Sequence, residues 1–294
     1  MSFLSGFIAI IGPPNVGKST LLNHILGTKL AIVSPKPQTT RNRTIGIYHG
    51  EGFQMVFVDT PGIHKTLTAL HKSMVKSALA AFQEVDILLL MIGTDRPDDP
   101  EISSIVGNLK RIKKPCVLAV NKIDIYPKEH LLPIIEKYSQ LCLFDVIIPI
   151  SALKGDGVDV ILKELKSRLK PGPQFFPIEM RTDKSKTFLI SEIIREKIYF
   201  HTREELPYSS AVTIIKMEEI QNKNLLSISG RIHVETDSQK GILIGKQGRM
   251  IKAVGRSARL ELEKIFGMRV YLDLTVRVEK NWTKNTRALR RLGY

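Results

Sequence analysis

A lysine, a serine and an aspartate set around glycine-rich backbone can bind phosphate and a divalent cation, and this chain carries them in order. Gly12-Pro13-Pro14-Asn15-Val16-Gly17-Lys18-Ser19-Thr20 fits the phosphate-loop pattern Gly-x-x-x-x-Gly-Lys-Ser. Its glycines let backbone amides turn toward a nucleotide's phosphates. Lys18 can reach the β- and γ-phosphates, and the Ser19 hydroxyl can ligate Mg²⁺. Asp59-Thr60-Pro61-Gly62-Ile63 supplies a carboxylate for the Mg²⁺ shell and, at Gly62, an amide for the γ-phosphate. Asn121-Lys122-Ile123-Asp124 adds base selection. The Asp124 carboxylate can accept from the N1–H and 2-amino groups of guanine, whereas adenine would leave it unpaired. Asn121 would tie this loop to the phosphate loop, the Lys122 stem could lie on the base, and the amides of Ser151-Ala152-Leu153 could meet the guanine 6-oxo group. GTP is therefore the expected nucleotide.

The elements around these residues have the right order. Phe7–Ile11 is a short, wholly apolar run, as a buried parallel strand should be, and a helix follows the phosphate loop as far as Gly27. Residues 44–49 and 53–58 read as a hairpin ending at Asp59, and strands are expected at 86–93, 115–120 and 145–150. Helices are expected at 101–112, 128–142 and 158–170. Asn121 thus sits at the carboxyl end of a strand, where a doubly wound sheet presents ligand-binding residues. The proline-containing stretch from Ile32 to Arg43 reads as a long loop, either a switch or a plain connector.

The net charge of +15 is unusual for a chain with otherwise ordinary composition. Residues 1–170 carry +6 and the shorter remainder +9, which favours a polyanionic partner, nucleic acid or anionic lipid, on the second half. Cys116 and Cys142 both lie in apolar contexts and are expected as buried, reduced thiols. No apolar run approaches a membrane span and no room is left for a signal peptide, so a cytoplasmic protein is expected. A monomer is the expected state.

After the stiff segment Pro171–Pro177 the pattern changes to helix, strand, strand, helix, Gly-x-x-Gly, helix, strand. Ile244-Gly245-Lys246-Gln247-Gly248, followed by Arg249 and Lys252, joins two helices. Its glycines would bring backbone close to the phosphates of about four single-stranded nucleotides. Ile242, Ile244, Ile251 and Val270 are candidates for an aliphatic base groove, although most would be core whatever the function. Arg287, Arg290 and Arg291 in the tail would add sequence-independent phosphate contacts, and Trp282 is expected to pack rather than stack on a base.

The first half closely resembles the translation-factor class of GTP-binding proteins, and the second a type II KH domain. With Gln38-Thr-Thr-Arg41, Asp59-Thr-Pro-Gly62, Glu205-Leu-Pro-Tyr208 and a terminal Arg-x-Leu-Gly-Tyr294, the whole chain is similar to the Era-like bacterial GTPases. The resemblance implies an α/β P-loop GTPase domain over residues 1–172, with a mostly parallel six-stranded sheet and one antiparallel strand. A linker over 173–184 and an α+β KH domain over 185–294 follow. It implies GTP hydrolysis, binding of the 3′ end of 16S rRNA, a role in 30S subunit maturation, and loose contact with the inner membrane. Thr40, with Thr39 as the alternative, would be the threonine that closes on Mg²⁺. Ile63 stands where Ras-like proteins carry the glutamine that orients attacking water, so a partner or another device must replace it. Asn15 either helps hold a potassium ion, as in relatives, or braces the loop. The implied mechanism is a switch in which GTP orders the loops at Thr40 and Asp59–Ile63 and brings the KH domain into an RNA-competent pose. A membrane-tethered signalling GTPase and an RNA-binding scaffold with a structural nucleotide are the alternatives.

Overall fold

The computed structural model describes residues 2–33, 44–59 and 84–293, save the side chain of Lys128. They form two compact units. The first holds residues 2–31, 44–59 and 84–183, and the second holds residues 184–293 with Ile32 and Val33. Thr39, Thr40 and Thr60–Ile63 lie outside the described residues.

The first unit is built on a sheet of order β2-β3-β1-β4-β5-β6, comprising β1 (Leu4–Ile11), β2 (Thr44–Gly50), β3 (Phe53–Asp59), β4 (Ile87–Gly93), β5 (Cys116–Asn121) and β6 (Val146–Pro149). Only β2 runs antiparallel within that order. Alternation along the buried strands feeds two cores. Ile8, Ile10, Phe57 and Leu89 pack with α1 (Lys18–Leu26) on one face, whereas Ala9, Ile11, Leu88 and Leu90 pack with α2 (Pro100–Leu109) and α3 (Leu131–Ser139) on the other. Ile161 and Leu165 of α4 (Val158–Ser167) complete the first core.

A seventh, two-residue strand, β7 (Lys170–Pro171), was not expected; it pairs antiparallel with Leu4 and Ser5. Its place follows from register, because β4 joins β1 only from Ile8 onward and leaves the start of β1 open. The proline-rich segment that follows is strapped to the sheet. The buried Gln54 side chain accepts from the amides of Phe175 (2.9 Å) and Phe176 (3.1 Å) and donates to the Phe176 carbonyl (2.8 Å). The amide of Ile47 donates to the Arg181 carbonyl at 2.9 Å, covering edge strand β2. Cys116 is buried and its thiol is pushed up to about 12, chiefly by burial. Cys142 departs from expectation. It sits just beyond α3 at φ 47°, and the chain turn leaves it exposed despite apolar neighbours in sequence.

The second unit has a three-stranded sheet of order β10-β9-β8, with β8 (Ala211–Ile220) antiparallel and β10 (Arg269–Val278) parallel to β9 (Leu225–Val234). Helices α5 (Lys186–His201), α6 (Asp237–Ile244) and α7 (Arg249–Phe266) pack on one face around Ile194, Ile228, Ile232, Val254 and Leu262. Trp282 is fully buried and its Nε1 donates to the Ser209 carbonyl at 3.0 Å. A short helix, α8 (Thr286–Arg291), follows; the Asn285 side chain caps it by accepting from the Arg287 amide at 2.9 Å.

Candidate functional site

The phosphate loop runs from the end of β1 to the start of α1. Asn15 (φ 60°) and Gly17 (φ 104°) adopt left-handed backbone, which folds successive N–H groups into a concave, anion-binding curve at a helix N-terminus. The two glycines are required by space. A Cβ on Gly12 would meet the Met91 carbonyl oxygen at 2.3 Å, and one on Gly17 would meet Asn121 Nδ2 at 2.3 Å. Lys18 is buried, and its Nζ donates to the carbonyls of Gly12 (2.9 Å) and Pro13 (2.8 Å). Burial pushes this ammonium down to about 8, against the pull of Asp59 and Glu101. Pro14 and Thr20 flank the loop half-buried, and Asn15 is exposed at its crest.

Ser19 Oγ donates to Asp59 Oδ2 at 2.9 Å. Asp59 is fully buried, and its other oxygen, Oδ1, has no hydrogen-bond partner. Burial raises this carboxyl to about 6, with Lys18 and the Ser19 hydroxyl opposing. A buried carboxylate oxygen left unpaired beside a serine hydroxyl fits a hydrated Mg²⁺, which would satisfy it.

The base-binding loops are joined by one side chain. Asn121 Nδ2 donates to the Val16 carbonyl at 2.7 Å, and its Oδ1 accepts from the Ala152 amide at 2.9 Å. This one amide therefore fixes the phosphate loop and the Ser151 loop together. Lys122 adopts φ 72°, and its Nζ meets Asp95 Oδ2 at 2.8 Å, while Asp124 stays half-buried. The three amides expected at the guanine 6-oxo group are not equivalent. Ser151 N donates to the Asp156 carbonyl and Ala152 N to Asn121, which leaves the amide of the exposed Leu153.

In the second unit, Gly245 (φ 71°), Gln247 (φ 53°) and Gly248 (φ 76°) turn the chain sharply between α6 and α7. A Cβ on Gly245 would come within 2.9 Å of the Met250 backbone nitrogen. Lys246, Gln247, Arg249 and Lys252 are exposed, and Ile244 is half-buried. Beside this loop lies a cleft of about 460 Å³ between α7 and edge strand β10, lined by Ile251, Lys252, Gly255, Arg256, Arg259 and Leu272–Leu274. Ile251 is where the groove was expected. Val270 instead belongs to the core, and Ile242 is exposed outside the cleft lining. In the tail, Arg287 and Arg290 are exposed, while Arg291 pairs with Glu279.

The family described as 50S ribosome-binding GTPase matches residues 7–122, and the KH domain family matches residues 205–283. GTPase Era of Syntrophus aciditrophicus is 52% identical over 292 residues, 99% of this chain and 95% of that protein. The chain belongs to the GTPase Era family. GTPase Era of Alkaliphilus metalliredigens is 45% identical over the full length of both chains. The fold is similar to that of Era in complex with MgGDPNP and nucleotides 1506–1542 of 16S ribosomal RNA. That match has a TM-score of 0.95 at 41% identity and covers 99% of each chain. A point variant of Aquifex aeolicus Era bound to GDP and AlF4⁻ gives 0.94 at 41% identity, covering 100% of this chain and 99% of that one.

Two groups of residues in this family member escaped the sequence reading. Glu101, in the first turn of α2, has a buried Oε2 without a hydrogen-bond partner and acts electrostatically on Lys18. Burial first, and Asp99 second, raise its carboxyl to about 6. The cleft wall of Gly255, Arg256, Arg259, Leu272 and Leu274 is the other group. Alternation along β10 was the available signal, but it needs the pairing register before it says which face meets α7.

Proposed function

We propose that the protein is a GTP-hydrolysing switch that binds 16S rRNA near its 3′ end and acts in maturation of the small ribosomal subunit. One observation carries this reading: a single chain builds both the Asn121-braced nucleotide site and a Gly-x-x-Gly cleft. Lys18 exchanges two backbone carbonyls for β- and γ-phosphate oxygens, and those anions favour its charged form. The Ser19 hydroxyl and Asp59 hold the metal's shell, and Asp124 with the Leu153 amide selects guanine. A Mg²⁺ ion held there through Ser19 and Asp59 would supply charge neutralisation to the phosphates. Thr40, or Thr39, would close on Mg²⁺, and the Gly62 amide would meet the γ-phosphate. Since Ile63 has no group to orient water, hydrolysis depends on a partner or on a potassium ion held through Asn15.

On the RNA side, Gly245–Gly248 approach phosphates, Lys246, Arg249 and Lys252 neutralise them, and bases enter the cleft against Ile251, Leu272 and Leu274. Arg287, Arg290 and Arg291 add contacts from the tail. The 30S subunit is the proposed partner, engaged by a cytoplasmic monomer. Among the described residues no helix is long and apolar enough to cross a membrane, so contact with the anionic inner membrane would be peripheral, through the +15 charge. The test is competitive binding of an RNA copying the 3′ end of 16S rRNA against a shuffled RNA of equal composition. At least tenfold preference for the 3′-end sequence is expected, and equal affinity would sink the rRNA assignment.

A further inference from the structure

The three-stranded sheet of the second unit has two faces, and α5, α6 and α7 cover one of them. The other face carries alternate residues of each strand. In register across it, Arg277 lies opposite His233, and Thr275 lies opposite Arg231, which faces Thr213 on β8. Ala211 and His233 at this end are buried, but Arg231 is half-buried and Thr275 and Arg277 are exposed. We propose that the Arg231–Arg277 part of this face, bare of helices, is a second RNA-contacting surface that takes phosphate backbone running on from the Gly-x-x-Gly cleft. The inference rests on the reading that the chain binds RNA through that cleft.

Three observations support it. First, the charge at this end is uncompensated. Glu279 is the nearby carboxylate, and it is shared between Arg291 and His233 Nδ1 (3.0 Å). Arg231 and Arg277 have no ion-pair partner among the described residues. Second, the imidazole between them senses the excess. His233 is pushed down to about 4 by burial and then by Arg231, Arg277 and Arg291, so three guanidinium groups converge on one side chain. Farther along the same face Lys216 is paired with Glu218 at 2.8 Å, and Asp273, opposite Ser229, adds a carboxylate. Third, β10 belongs to both surfaces. Leu272 and Leu274 point into the cleft, while Tyr271 (60% exposed), Thr275 and Arg277 alternate onto the bare face.

A KH cleft holds about four nucleotides, so a longer RNA must leave it, and edge strand β10 borders that exit. Ten residues of strand span about 33 Å, room for several further phosphates. Hydroxyls and guanidinium groups on a flat sheet complement a polyanionic backbone. Ile215 of β8, two residues beyond Thr213, is 55% exposed, so the test includes a lipid arm.

The test uses the full chain, a five-nucleotide RNA, and a thirty-nucleotide RNA ending in those same five. The Arg231→Gln/Arg277→Gln variant should bind the short RNA within twofold of wild type and the long RNA at least tenfold more weakly. Its plot of log affinity against log salt for the long RNA should be shallower by about 1.4, the loss of two phosphate contacts. Restoring charge with lysine at both positions should recover most of the slope. Unfolding midpoints followed by Trp282 emission, equal in all three proteins, identify a surface effect. Unchanged affinity and slope on the long RNA would overturn the proposal, as would equal loss on both RNAs. So would loss confined to phosphatidylglycerol vesicles with RNA binding intact, which would assign the face to lipid. If wild type binds neither RNA, the proposed function itself fails and this inference falls with it.

Discussion

His233 makes the second unit's stability depend on pH in a way that can be worked through. Its Nε2 meets Thr213 Oγ1 at 2.9 Å and its Nδ1 meets Glu279 Oε2 at 3.0 Å, inside a site that is almost wholly buried. Glu279 alone would favour the imidazolium, but its other oxygen is taken by Arg291. Burial and the guanidinium groups of Arg231, Arg277 and Arg291 outweigh it, so the folded side chain titrates near 4 rather than 6.5. Between those values the unfolded chain binds the extra proton, so stability falls as pH drops below about 6.5 and the loss is complete below about 4. Roughly two and a half pH units at about 1.4 kcal/mol each set a ceiling of about 3 kcal/mol. About 1 kcal/mol of that should disappear between pH 7 and 5.5. Trp282 is the sole tryptophan and lies buried in the same unit, so urea unfolding followed by its emission reads the effect directly. His233→Gln removes the titration but keeps a polar side chain. Wild type should lose about 1 kcal/mol more than the variant between pH 7 and 5.5. Parallel losses in the two proteins would refute the reasoning.

Other consequences concern the two sites. Asn121→Ala removes both bonds that join the phosphate loop to the Ser151 loop, so GDP affinity should fall ten- to a hundredfold, about 1.4–2.7 kcal/mol; a calorimetric change under twofold would contradict this. Gly12→Ala places a Cβ 2.3 Å from the Met91 carbonyl oxygen at φ 149°, and should abolish nucleotide binding measured by a fluorescent GDP analogue. Retained affinity would mean the loop can relax. Gly255→Leu should separate stability from function, because a Cβ there meets only Leu274 Cδ1, at 3.7 Å, and a mid-helix glycine costs roughly 1 kcal/mol against alanine. The helix should hold or gain stability while RNA affinity drops at least tenfold; unchanged RNA binding would remove the cleft from the account.

Much of this was legible because local chemistry and strand order agree. Gly12–Ser19 fits between an apolar strand and a helix in only one way, and Asn121 falls at a strand end where its amide can reach two loops. The Gly-x-x-Gly motif gained meaning from the helices on either side. What escaped depends on register and tertiary closure. β7 exists because β4 starts late beside β1, and no periodicity announces a two-residue strand. Gln54 reads as one polar residue in an apolar run, yet it anchors the Phe175–Phe176 strap. Val270, Leu272 and Leu274 share a face of β10, but only the last two reach the cleft, since Val270 lies over the core at the strand's start. Cys142 misled because its apolar neighbours say nothing about a left-handed turn at a helix end.

The central claim is that nucleotide state governs RNA binding, and one titration tests it most directly. Affinity for the 3′-end 16S rRNA sequence would be measured at fixed salt with a non-hydrolysable GTP analogue, with GDP, and without nucleotide. The account predicts binding at least tenfold tighter in the GTP-analogue state, about 1.4 kcal/mol of coupling. Equal affinity in all three states would contradict it and leave an RNA-binding protein whose GTPase cycle answers to something else.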